Sequence, residues 1–353
     1  MKAVLLFAVI LTIGLVQAHA STGSTASVVP PNQFGQVTLR YVADPGEAND
    51  VSIEFASGSA TGIDVTDSGA TIGAGAGCTS LSAHKVRCDV SSGDLTNVSL
   101  GDGNDILTIS KFFDSGGGRL NGGDGDDAIR GNDIAGTNEI LLGGRGDDIL
   151  FGRGGSEFLK GGPGADDLSG GTSCEPLTAG QCYADIDTVS YADRTRKVRA
   201  TADGIAGDDG QRLEHDSIAA DVERIIGGAG NDVLGGTTTN INFADLIPFL
   251  AGMQIEGRAG DDRLHGGRGP DSLHGGKGDD SVHGAAGRDR VKGGSGNDRL
   301  SGDTGQDRLA GGRGHDKLLA NDGQADHVNG GRGFDEAAVD LALDRLRNIE
   351  RLL

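Results

Sequence analysis

The chain has 353 residues, enough for two or three ordinary domains, but 64 glycines, 4% aromatic residues and no Trp exclude a large mixed core of the usual kind. A formal net charge of −21 argues against nucleic acid and anionic membranes as partners of the chain as a whole. Of its 52 acidic residues only 10 are Glu and 42 are Asp, the short carboxylate that suits tight turns and hard-cation sites.

Residues 1–20 read as a secretory signal peptide. Lys2 supplies the charge, Ala3 to Leu15 is mostly apolar, and Ala18-His19-Ala20 fits the small-x-small cleavage rule. A membrane anchor would need about 20 apolar residues and a retained flank, and no other stretch is long or apolar enough to span a bilayer. The mature chain is therefore expected to be secreted, and its four cysteines suggest two disulfides. Cys78/Cys88 and Cys174/Cys182 would each close a short loop, the favoured choice among three connectivities; neither pair has the spacing of a zinc site.

Residues 21–99 form an N-terminal β domain in this reading. Gln36 to Tyr41, Val51 to Phe55 and Ile63 to Val65 alternate as short antiparallel or solenoidal strands, stapled by Cys78–Cys88. Residues 100–235 then hold a first block of nonapeptides: LGDGNDILT from Leu100, GGDGDDAIR from Gly122, three in register from Gly143 to Ser169, and GGAGNDVLG from Gly227. Their sixth positions are Asp105, Asp127, Asp148, Asp166 and Asp232, with Glu157 standing in once. An insertion, residues 170–226, carries Cys174, Cys182 and Asp187 to Tyr191, and ends in Asp221 to Ile226. That ending, Asn97 to Leu100 and the terminal Asn348 to Leu353 are copies of one short strand module suited to a solenoid wall. Residues 236–256 are an apolar linker or loop; Ile241 to Ile255 either covers the solenoid near a break or receives a partner.

The second block, residues 257–335, is the clearest. Gly257 to Leu319 divides without a gap into seven nonapeptides, with Gly at positions 1 and 4 of every copy. Position 6 is always Asp (Asp262, Asp271, Asp280, Asp289, Asp298, Asp307 and Asp316), and position 8 is always Leu or Val. Low-complexity sequence does not hold a nine-residue register. Past Leu319 the register slips by one residue around Ala325, resumes at Gly330, and gives way to a C-terminal cap over residues 336–353. Position 8 is expected to point inward and positions 7 and 9 outward, as Arg263, Arg290, Arg299, Arg308 and Lys292 suggest. His265, His274 and His283 recur at outward position 9, where solvated imidazoles are the ordinary reading and a transition-metal site the alternative.

These repeats resemble the repeats-in-toxin (RTX) family of haemolysin-type calcium-binding nonapeptides. The resemblance implies an all-β fold, a parallel β-roll or β-solenoid in which six-residue turns bind Ca²⁺ and three-residue strands build the walls. Two nonapeptides would complete one coil, so that repeat i stacks on repeat i+2. The twelve position-6 Asp residues named above, with turn carbonyls, would be the ion's ligands. Ala43 to Asn49 also resembles the leader domain of secreted actinobacterial members. The chain has no HExxH or GxSxG and no phosphate loop, so no catalytic residue is expected. An extracellular calcium-binding structural or interaction module is the leading expectation; a hydrolase or adhesin using the roll as a calcium-dependent scaffold is the alternative.

Overall fold

The structure is a computed structural model that describes residues 23–33, 36–56, 62–90, 94–110, 117–134, 136–171, 186–236 and 252–353. The signal-peptide reading, Cys174, Cys182 and residues 237–251 of the apolar linker lie outside the described residues.

Every described element is a strand. The chain winds as a β-solenoid of about twelve coils, alternating between a continuous wall and an opposite wall. The continuous wall is a 15-stranded sheet; the opposite wall is a 9-stranded sheet in the first half and a 10-stranded sheet in the second. In the second block the pairing is parallel with a shift of two repeats: Leu273 faces Val291, and Val291 faces Leu309. The extra residue near Ala325 is absorbed in a turn, because Leu309 pairs with Val328 and the stack continues.

The core is one side chain wide. Leu264, Leu273, Val282, Val291, Leu300, Leu309 and Leu318 are all buried, while Arg263, Arg290, Arg299 and Arg308 between them are exposed. Many strands are longer than the three residues expected. Ser272–Lys277 pairs with Arg290–Ser295 through Gly276↔Gly294 and Lys277↔Ser295. Positive φ at Gly276 and Gly294 redirects the chain without breaking its stacking on the neighbouring coil.

Within the 170–226 insertion, Thr188–Ser190 and Arg224–Ile226 continue the continuous wall, pairing with Phe158–Lys160 and Gln254–Ala259. The opposite wall changes sheet there: Ser217–Ile218 closes the first sheet, and Val198–Thr201 opens the second beside Val233–Gly235. At the N-terminal end, Ser24–Val29, Thr38–Val42, Asp50–Phe55 and Ile63–Asp67 form antiparallel pairs that join the coils through Leu95–Asp102 and Ile106–Ile109. Cys78 and Cys88 are disulfide-bonded across the Cys78–Ser82/Lys85–Cys88 hairpin.

Candidate metal centre

Two columns of turns run along the roll, one leading into each wall. The position-6 residue ends each turn, two residues before the buried aliphatic. In the column entering the opposite wall these residues are Asp105, Asp127, Asp148 and Asp166, then Asp232, Asp262, Asp280, Asp298 and Asp316. The column entering the continuous wall holds Asp271, Asp289 and Asp307. All twelve are buried.

A ladder links them. The backbone N–H of a position-6 residue donates to a carboxylate Oδ1 one coil later, in most cases that of the next position-6 Asp. Asp262 donates to Asp280 and Asp280 to Asp298, each at 2.9 Å; Asp271 donates to Asp289 and Asp289 to Asp307, each at 2.8 Å. In the first block Asp105 reaches Asp127 and Asp127 reaches Asp148, both at 2.9 Å. Asn49 starts this ladder by donating to Asp105 Oδ1, and Glu350 ends its second half by accepting from Asp335.

The other carboxylate oxygen has a different fate. Oδ2 is buried and, among the described residues, accepts no hydrogen bond in Asp105, Asp127, Asp148, Asp166, Asp262, Asp271, Asp280, Asp289, Asp298, Asp307 and Asp316. Asp232 is the exception, taking the Gly228 N–H at 2.7 Å where the second block begins. Position-1 glycine makes room for these oxygens. A Cβ at Gly257 would stand 2.4 Å from Asp262 Oδ2 and 2.6 Å from the Gly275 carbonyl oxygen of the next coil. At Gly266 the same distances are 2.3 Å to Asp271 Oδ2 and 2.6 Å to the Gly284 carbonyl oxygen, and at Gly122 they are 2.0 Å to Asp127 Oδ2 and 2.7 Å to the Gly143 carbonyl oxygen. A carboxylate oxygen and a carbonyl oxygen from successive coils thus share the space a side chain would fill. Oxygen donors alone suit a hard cation such as Ca²⁺.

Burial raises the pKa of these carboxyls, because an ion loses its water there, and the neighbouring carboxylates add to the effect. Asp271 is pushed up to about 8, with the charge of Asp289 as its second cause, and Asp280 to about 7, with Asp262 and Asp298 contributing. Asp166 rises to about 8 and Asp127 to about 7; Asp105, Asp232 and Asp289 are also raised, each chiefly by burial. The backbone N–H donated to Oδ1 opposes the rise at Asp280 and Asp127 without cancelling it. A buried, unpaired carboxylate row of this kind is stable only with protons or cations.

Where the acidic columns break, guanidinium groups take the carbonyls instead. Arg153, at position 2 of its repeat, donates to the position-1 carbonyls of Ile109 and Gly131 at 3.2 and 3.3 Å and pairs with Asp133. Arg194, from the insertion, donates to the Gly162 carbonyl and pairs with Glu214 at 3.2 Å.

The columns also contain members outside the nonapeptide pattern. Asp187 accepts from Glu157 N–H, Asp216 from Asp166, Glu223 from Asp187, Asp326 from Asp307 and Asp344 from Asp326. Their signal is an acid two residues before a buried aliphatic, as in Asp187-Thr188-Val189 and Asp216-Ser217-Ile218. Asp216 is occupied differently, since Tyr191 OH donates to its Oδ2 at 2.8 Å. Among the described residues no three His, Cys, Asp or Glu side chains converge as a metal cluster, so carbonyls must supply much of any coordination here. His265 and His283 are register partners, and His283 Nδ1 lies 3.3 Å from Asp303 Oδ2.

The family model for the RTX calcium-binding nonapeptide repeat (4 copies) matches residues 135–171, 220–237, 256–291, 283–318 and 292–325. No curated protein matches the chain. The matched segments include Asp148, Asp166, Asp232 and the seven position-6 residues from Asp262 to Asp316, and over these segments the chain carries RTX calcium-binding nonapeptide repeats.

Proposed function

We propose that this protein works outside the cell as a calcium-loaded structural and binding module, not a catalyst, and that its repeats fold on binding Ca²⁺. The observation that carries the reading is the row of buried Oδ2 atoms without a hydrogen-bond donor among the described residues, with a position-1 carbonyl of the next coil beside those of Asp127, Asp148, Asp262, Asp271, Asp289 and Asp316. Asp105, Asp127, Asp148, Asp166, Asp262, Asp271, Asp280, Asp289, Asp298, Asp307 and Asp316 would supply carboxylate, and Asp232 would join them by releasing the Gly228 N–H. The one-residue-wide Leu/Val core buries little apolar surface, and like charges oppose the ion-free state, so calcium removes the main obstacle to folding. Secretion is supported by the sequence of residues 1–20 and by the Cys78–Cys88 disulfide. Affinity per site is expected in the extracellular range, about 10⁻⁴–10⁻³ M.

Two substitutions two residues apart test the assignment. Asp289→Ala removes a ligand between the turns of Asp271 and Asp307 and should weaken Ca²⁺ binding, with thermal stability recovering at high calcium. Val291→Ala empties part of the core, costs about 1–3 kcal/mol, and should not be selectively rescued. Calorimetry and melts at low and high Ca²⁺ distinguish them; no binding at millimolar calcium, or equal rescue of both variants, would end the reading.

A further inference from the structure

The continuous wall of the second block presents a surface opposite in sign to the whole chain. The seven contiguous repeats carry eleven Arg and Lys against ten Asp, and seven of those Asp are the buried position-6 residues, so the acid is inside and the base outside. Strand register aligns the bases. Arg290, Arg308, His327 and Arg345 follow one another on successive coils in the position-7 row. Lys292 and Arg347 stand beside them in the position-9 row, and all six side chains belong to exposed residues. No carboxylate occupies either row over these coils, and among the described residues none of the five Arg and Lys side chains has an ion-pair or hydrogen-bond partner.

We infer that this face docks a linear acidic polysaccharide lying along the roll axis. Parallel coils are about 4.8 Å apart, so the wall offers a cation at nearly every step of a straight track. Arginine forks pair with carboxylate and sulfate oxygens in two-point fashion. No Phe, Tyr or Trp stands in these rows to stack a base, and the net charge of the whole chain, −21, repels a dense polyanion such as duplex nucleic acid. No large apolar side chain in the rows is placed to enter a lipid surface. The inference rests on the calcium reading in one respect: bound Ca²⁺ neutralises the carboxylates beneath the wall and leaves its positive field unopposed.

The test is calorimetric titration of the calcium-loaded full chain with a heparin oligosaccharide, with dextran and duplex DNA of equal charge in parallel. Heparin should bind, weaken steeply with salt, and outcompete DNA, and dextran should not bind. Replacing Arg290, Arg308 and Arg345 together by Glu should weaken heparin binding by about tenfold or more, and the triple Gln variant should weaken it by less. Replacing Arg263, Arg299 and Lys317 on the opposite wall by Glu should change it by less than about threefold. Circular dichroism in calcium reports folding of each variant separately. Folded protein without heparin binding, equal losses for both Glu triples, or DNA binding as tight as heparin would overturn the proposal and leave the calcium reading intact. Heparin binding that separates the two triples in a chain indifferent to calcium would do the reverse.

Discussion

Ala285 has φ 76°, and Arg153, Arg258 and Asp303, at the same second position of their repeats, have 86°, 79° and 61°. Gly276, Gly294 and Gly312 fill that position in other coils at 123°, 130° and 122°. A left-handed backbone costs a residue with a Cβ about 1–2 kcal/mol, partly offset because glycine has more freedom to lose on folding. Ala285→Gly should therefore raise stability by about 0.5–1 kcal/mol in saturating calcium. Position 4 is less forgiving. Gly278 has φ 120°, and a Cβ there would stand 2.0 Å from the Gly260 carbonyl oxygen of the coil below, so Gly278→Ala should cost about 2–4 kcal/mol. Paired thermal melts decide both; an Ala285→Gly variant no more stable than the parent would show that position 2 carries no strain.

A turn in this roll needs something positive in its carbonyl column, and the coils supply it in two ways. Most offer a buried carboxylate and a carbonyl to an ion; the turn beginning at Gly152 brings its own guanidinium in Arg153. Arg153→Met strands the Ile109 and Gly131 carbonyls and should cost about 1–3 kcal/mol. The loss should be the same in low and high Ca²⁺, because no ligand Asp is removed; calcium rescue in the melts would mean that an ion, not Arg153, fills this column. How legible such turns are in the sequence depends on their glycines. Gly257 to Leu319 shows its coils openly, since each turn needs glycine where the carboxylate enters and where the backbone stacks most tightly. Asp187, Asp216 and Glu223 do the same ladder work without a glycine at the nine-residue register, at spacings of 30, 50 and 36 residues from their partners. Only the stacking reveals them, because the acid-x-aliphatic triplet they share with true repeats is too short to stand out by itself. Arg153 and Arg194 were equally hidden: a guanidinium reaching along the axis has no period.

At the scale of the molecule, each coil touches little beyond its two neighbours, so the stability of the roll is close to a sum along one dimension and any uniform penalty is repeated at every step. The repeated penalty here is electrostatic. The position-6 carboxyls have raised pKa values, about 8 at Asp166 and Asp271, about 7 at Asp127 and Asp280, and about 6 at Asp148, Asp262, Asp298, Asp307 and Asp316. An unfolded Asp titrates near 3.9. The folded state therefore binds more protons than the unfolded state between these values, and stability contributed by the columns must rise as pH falls through that window. Above about pH 8 the penalty is complete; it is relieved progressively through pH 8 to 6 and is essentially gone near 4. Calcium responds oppositely, because protons compete for the same oxygens and its affinity falls over the same range. In EDTA, β-signal in circular dichroism and the melting temperature should increase from pH 8 to pH 5, while in millimolar calcium they should stay level or decline. The gap between the two series should close as pH drops. A calcium-free roll that loses structure on acidification across that window would show that its carboxyls are not held buried and unpaired in the columns, and that some other force opposes the ion-free fold.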